Sequence, residues 1–324
     1  MLAELPDRRV IFVLGKGGVG KTTLAAALAT ARARAGARTL LIETDARTPM
    51  AAILGVKRSY TPVEAGPNLF TMLLDGSHAL EEYLAIVVPG RVLLRTVVAS
   101  RLYQLFVQAA PGLRELMALG KIYYESGRVE HGLNAWASII IDAPSSGQAL
   151  ALLRMPAAAR ATFRASVVGT QAANIGNWLR DRETCAVVEV TTADSLAMSE
   201  VLEMHAALEA MQLAPTGVLF NRLATVDFDS ADVTTLLGGN PKSADVHARR
   251  HLEEIARAEI ARAGLERAAL ERIARETKIS PLGVPELRDL NGRGLVEALA
   301  SFLSSRLNLD SVRHPPLGDD RNEA

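Results

Sequence analysis

The run GKGGVGKTT, Gly15 to Thr23, limits what this chain can fold into more than any other stretch. From Gly15 to Thr22 it fits G-x-x-x-x-G-K-[ST], and it stands between a β-branched run, RVIFVLG (9–15), and an Ala/Leu-rich run, KTTLAAALATARARA (21–35), closed by Gly36. A strand that ends in a glycine loop and continues as a helix is the context that gives the motif its meaning. The glycines let successive backbone N–H groups curl around phosphate oxygens, and the helix N-terminus favours their negative charge. Gly15, Gly17, Gly18, Val19 and Gly20 are therefore expected to form a phosphate cradle. Lys21 is expected to reach the outer phosphates, the Thr22 hydroxyl to ligate Mg²⁺, and Thr23 to bond a further phosphate oxygen.

A second buried strand, RTLLIET (38–44), follows the helix and completes a βαβ unit, which implies a parallel sheet. NLFTMLLD (68–75), WASIIIDAP (136–144), CAVVEVTT (185–192) and TGVLFNRL (216–223) read as further strands with helical sequence between most of them. One helical stretch runs from 147 to about 181, a long Ala/Arg/Glu-rich helix spans roughly 244–277, and a last helix spans 292–306. The alternation predicts an α/β fold, a doubly wound and mostly parallel sheet over residues 1–310. Residues 78–127 lack strand signals, so a helical insert is expected at about 78–130, and the polar tail 311–324 is expected to be disordered.

Composition narrows the function classes. Thirty-six basic and 36 acidic side chains cancel, which leaves no global field for DNA or an anionic membrane. The single cysteine, Cys185, can make neither an internal disulfide nor a cysteine-rich metal site. The N-terminus has no apolar signal region and no run of 18 apolar residues occurs, so a soluble, cytoplasmic protein is expected.

Carboxylates at strand ends are the next candidates. Asp142 follows three isoleucines, the pattern of an aspartate that holds Mg²⁺ through water. Gly147 beyond it would allow backbone approach to the terminal phosphate. Asp45 directly follows the second strand, where it would face that phosphate across the crevice; Glu43 precedes it and could bind a metal-bound water or cap a turn. Asn221, in LFNRL at the C-terminal end of a strand, is a candidate for the adenine edge. Ala224 stands where a guanine-specific site would carry aspartate, so ATP is favoured. Pro281 and its neighbours could add backbone contacts to the base.

Lys16 has no role in an ordinary loop of this kind. The string K-G-G-V-G-K-T-T resembles the deviant Walker A loop of the ParA/MinD/NifH/ArsA superfamily. That resemblance implies that Lys16 reaches the nucleotide of a dimer partner, supplying charge as an arginine finger does, a device worth about 10³- to 10⁵-fold in rate. It also implies that Asp45 orients the attacking water. Three further stretches are similar to the ArsA/guided-entry branch: DAPSSGQALALLRMP, APGLRELMALGKI and PLGVPELRDL. Together the matches run from 15 to 290, and the likeness is closest to bacterial ArsA-like ATPases that lack metal-binding cysteines.

What the resemblance implies is a Mg²⁺-dependent ATPase working as a nucleotide-driven dimeric switch, with itself or a paralogous ATPase as partner. Its client would be a membrane protein or another hydrophobic protein. Arsenite handling through cysteines is not expected. Switch I reads D-A-R-T-P where the branch has D-P-A-H-S, and Gln148 stands where histidine is usual. Two alternatives stay open: a ParA/MinD-type positioning ATPase on DNA or membrane, and a weakly active subunit of a paired heterodimer. The polar end PPLGDDRNEA and the zero net charge speak against stable membrane or nucleic-acid binding. Leu93, Leu94, Val97, Val98, Leu102, Leu105 and Phe106 of the insert form a wide apolar face, either core or client groove.

Overall fold

Side chains alternate along the first strand, β1 (Val10–Gly15): Val10, Phe12 and Leu14 enter one hydrophobic cluster, Ile11 and Val13 another. A strand buried on both faces cannot show apolar/polar alternation, which is why it reads as a continuous apolar run. The computed structural model describes residues 5, 7–45, 47, 50–87, 100–101, 112–224, 231–233 and 246–309.

After β1 come α1 (Lys21–Arg34), β2 (Thr39–Glu43), α2 (Met50–Leu54), β3 (Val63–Gly66), β4 (Leu69–Leu73) and α3 (Gly76–Val87). The next described elements are α4 (Leu113–Gly127), β5 (Val129–Glu130), β6 (Leu133–Asn134), β7 (Ser138–Asp142), α5 (Ser146–Thr162) and α6 (Val167–Arg180). The chain continues with β8 (Cys185–Thr191), α7 (Ser195–Ala210), β9 (Gly217–Leu223), α8 (Val246–Thr277), β10 (Leu282–Pro285) and α9 (Gly292–Leu307).

Eight strands form one sheet in the order β10-β9-β8-β1-β7-β2-β4-β3, and only β3 runs antiparallel to its neighbour. The expected doubly wound, mostly parallel α/β fold is observed. Helices cover both faces. Leu116, Leu119 and Ile122 of α4, Leu152 of α5, Ile175 of α6 and Met204 of α7 pack on the Val10/Phe12/Leu14 face. Leu24 and Leu28 of α1, with Leu299 and Leu303 of α9, cover the other. Each fully buried isoleucine of β7 stabilises the fold by about 1.5–3 kcal/mol through removal from water.

Three local features differ from the sequence reading. The helical stretch after β7 is two helices, because Ser166 caps α6 by accepting a hydrogen bond from Gly169 N at 3.2 Å. β3 is short and half exposed, so it carries no apolar run. β5 and β6 form a hairpin whose turn residues, His131 (φ 50°) and Gly132 (φ 79°), both adopt left-handed backbone, as a tight hairpin turn requires. The apolar face from Leu93 to Phe106 and the tail 311–324 lie outside the described residues.

Candidate functional site

β1 stands between β8 and β7, and β7 pairs with β2. Asp142 is in register with Val13 on one side and Glu43 on the other, and Gly15 is in register with Val190. The loops that leave the C-terminal ends of β1, β2, β7 and β8 therefore open onto one crevice, the usual ligand site of an open α/β sheet.

Two glycines of the loop are dictated by contact. A Cβ on Gly15 would lie 2.3 Å from the carbonyl oxygen of Val190. Gly20 caps α1 with φ 95°, and a Cβ there would lie 2.3 Å from Asn221 Nδ2. The first turn of α1 carries no acidic residue of its own, so the helix contributes the positive end of its dipole to the crevice.

Lys21 is 8% exposed and its ammonium donates to the carbonyl of Lys16 at 2.9 Å. Burial lowers its pKa, and Asp142, Asp45 and Glu200 oppose that shift. Thr22 donates its hydroxyl to Asp142 Oδ2 at 2.7 Å. The other oxygen, Oδ1, is buried without a hydrogen-bond partner. Burial pushes the Asp142 carboxyl up to about 6, against the Thr22 bond and the charge of Lys21. A hydroxyl beside a buried carboxylate with an unused oxygen suits a hydrated magnesium ion, which takes few protein ligands and completes its shell with water and phosphate. Among the described residues no cluster of three His, Cys, Asp or Glu side chains could hold a metal by itself.

The second-strand carboxylates are differently placed. Asp45 is gripped by Arg47: Nη2 donates to Oδ2 at 2.8 Å, Nε to Oδ1 at 3.0 Å, and the Arg47 backbone N–H to Oδ1 at 2.9 Å. The Arg47 bond is the main cause of a lowered Asp45 pKa. Glu43 is buried and forms an ion pair with Arg58 at 3.7 Å. Thr44 donates to the main-chain oxygen of Asp142 at 2.6 Å, tying the two strand ends together.

Asn221 is buried behind the loop, and its Nδ2 donates to Val19 O at 2.8 Å. That geometry makes it a prop for the phosphate loop, so the donor expected at the adenine edge is already engaged. Pro281 precedes β10, whereas the crevice end of that strand is Pro285, in register with Leu223. The Glu286 N–H donates to Leu223 O at 2.8 Å just beyond. Pro285 and Glu286, not Pro281, are thus the residues of this segment at the crevice end of the sheet. Gly147 lies in the first turn of α5 with open space beside it.

Sequence reasoning missed two carboxylates on α7. Asp194 caps that helix, accepting from Leu196 N at 3.1 Å and Ala197 N at 3.0 Å, and its Oδ1 lies 3.5 Å from Lys16 Nζ. An aspartate just before SLAM was legible as a cap. Glu200 accepts from the Ser146 hydroxyl at 2.7 Å; nothing in the sequence singled it out.

The profile of the anion-transporting ATPase family matches residues 8–171, half of the chain. The chain belongs to this family. ATPase BagA of Mycobacterium tuberculosis is 27% identical over 253 residues, which cover 76% of this chain and 74% of that protein. ATPase ASNA1 homolog 2 of Paramecium tetraurelia is 28% identical over 157 residues, covering 48% of this chain and 46% of its own. Membership in the anion-transporting ATPase family makes this chain an ATP hydrolase with a nucleotide site. The matched span contains the phosphate loop, Asp45 and Asp142, whereas Asp194, Asn221 and Pro285 lie beyond it. No described helix of this family member is long and apolar enough to cross a membrane.

Proposed function

We propose that the protein is a Mg²⁺-dependent ATPase of the ArsA type, working as a dimeric switch that handles a hydrophobic protein client. The observation that carries this reading is the Thr22–Asp142 pair at 2.7 Å with its second carboxylate oxygen left over, at the foot of a lysine-bearing phosphate loop.

In this reading the backbone N–H groups of Gly17 to Thr22 and the α1 dipole hold the phosphates, and Lys21 leaves Lys16 O to pair with the outer ones. Thr22, and Asp142 through water, would hold magnesium, which would supply neutralisation of phosphate charge. Asp45 orients the attacking water. Lys16 of a second subunit completes the positive surround. Positioning and preorganised charge supply the rate in such a site. Thr23, Pro285 and Glu286 contribute secondary contacts to phosphate and base.

Arsenite capture through thiolates finds no support: Cys185 is the chain's one cysteine, it lies in the core, and burial pushes its thiol pKa up. A client reading is supported by an apolar cavity of about 290 Å³ between α3, α4 and α6, lined by Ala79, Tyr83, Met117, Val168 and Ile175. With a formal net charge of zero, stable nucleic-acid or membrane binding is not proposed. The grip of Arg47 on Asp45 favours a second reading, a slow subunit paired with a paralogous ATPase.

The test is phosphate release by wild type, Lys21→Ala and Lys16→Ala, alongside sizing with and without Mg-ATP. Lys21→Ala should abolish turnover; Lys16→Ala should bind ATP normally and turn over slowly. A chain that stays monomeric with ATP and hydrolyses it at full rate would overturn the dimeric switch. Activity restored only by a copurified paralogue would select the second reading.

A further inference from the structure

We propose that Asp194 is a positioning residue for Lys16: it holds the loop's second lysine inside its own subunit until nucleotide and partner draw the side chain out. The proposal rests on the cross-dimer role of Lys16 given above.

The topology brings the two residues together. β1 and β8 are parallel neighbours with Gly15 in register with Val190, so the chain leaves both strands side by side. Lys16 is the first residue after β1, and Asp194 is the N-cap of the helix that follows β8. Asp194 Oδ1 is 3.5 Å from Lys16 Nζ.

The partners are unequally anchored. The carboxylate is fixed by the N–H groups of Leu196 and Ala197 at 3.1 and 3.0 Å. The main chain of Lys16 is fixed as well, since its carbonyl accepts the Lys21 ammonium. Only the lysine's four-carbon stem is left to swing. The hold is also weak: the two side chains are 24% and 60% exposed, and ion pairs open to water shift equilibria by no more than about fivefold. A reversible latch needs that weakness, because a terminal phosphate with its larger charge must win the lysine. The latch and the Lys21–Lys16 bond would be released together, since Lys21 turns to the phosphates when nucleotide enters.

Asparagine caps a helix as well as aspartate does, so Asp194→Asn removes the charge and keeps the cap. Turnover per subunit is measured across protein concentration for wild type, Asp194→Asn, Lys16→Ala and the double variant. Asp194→Ser serves as a second neutral cap. The expected result is an unchanged thermal midpoint and a concentration curve shifted about two- to fivefold lower in both Asp194 variants, with no shift in the Lys16→Ala background. Asp194→Asn identical to wild type, with Lys16→Ala still slow, would overturn the latch and leave the cross-dimer lysine standing. An equal effect of Asp194→Asn with and without Lys16 would also overturn it. Wild-type turnover in Lys16→Ala would remove both readings.

Discussion

The Thr22 hydroxyl donates to Asp142 Oδ2 across 2.7 Å, although the two residues lie 120 positions apart in the chain. The bond joins the first turn of the loop helix to the end of the neighbouring strand, and it leaves Asp142 Oδ1 buried with no partner. Thr22→Val keeps the shape and removes the hydroxyl. It should lower Mg²⁺-dependent phosphate release roughly 10²-fold, the usual cost of one preorganised charge-stabilising group, while Thr22→Ser retains most of it. Steady-state rates over a Mg²⁺ titration check this; equal rates for Thr22→Val and wild type would refute the metal assignment.

Asn221 separates two roles. As a prop for Val19 O, its loss leaves a buried carbonyl unpaired, a cost of about 1–3 kcal/mol. Asn221→Ala should lower stability by that amount in denaturant and weaken ATP and GTP binding by the same factor. A variant that keeps its stability and loses only the preference for ATP would return Asn221 to the adenine edge.

Arg47 is the departure in switch I with the clearest consequence. Three hydrogen bonds from its side chain and one from its backbone occupy Asp45. Arg47→Ala removes the guanidinium from an open position, where water screens such pairs and keeps them weak. If Asp45 orients the water, single-turnover hydrolysis should rise, by no more than about fivefold. A fall in rate would instead make Arg47 part of the charge surround.

The core contains a pH-sensitive pair away from the nucleotide. His205 Nδ1 of α7 lies 2.7 Å from Glu189 Oε2 of β8, and Nε2 lies 3.9 Å from Glu209. Burial by itself lowers the His205 pKa, but Glu189, Glu209 and the Thr277 backbone outweigh it and raise the value above 6.5. The folded state thus favours the charged ring. Its contribution is full below the unfolded value near 6.5 and is lost as pH rises through the higher folded value. Denaturation midpoints of wild type should fall as pH rises above 6.5, and His205→Gln should flatten that fall. Parallel curves for the two proteins would dismiss the pair as the cause.

The strands were legible because parallel central strands are apolar on both faces: IIID at Asp142 and IFVLG at Gly15 needed no tertiary information. Edge strand β3 was hidden because none of its residues is fully buried. Loop glycines, Lys21, Thr22 and Asp142 could be read from spacing, since phosphate binding dictates the spacing. The neighbours that hold them could not. The bond from Asn221 to Val19 O could not be foreseen, because a polar residue at a strand end looks the same whether it faces ligand or loop. Arg47 and Glu200 act through contacts across loops and helices, and no periodicity marks such contacts.

Trp178 of α6 stands edge-on to Phe12 of β1 and to Tyr123 of α4, with ring centroids 6.2 and 5.5 Å away. Its indole Nε1 is buried and makes no hydrogen bond. The chain's other tryptophan, Trp136, donates to Glu125 at 2.9 Å and lies under the Arg38 guanidinium at 4.5 Å. One fluorophore is thus wedged where the loop strand meets the helical layer, and the other is pinned. The molecule carries an intrinsic optical gauge with its own reference: emission from Trp178 will register any sliding of helices over the sheet, with no label attached.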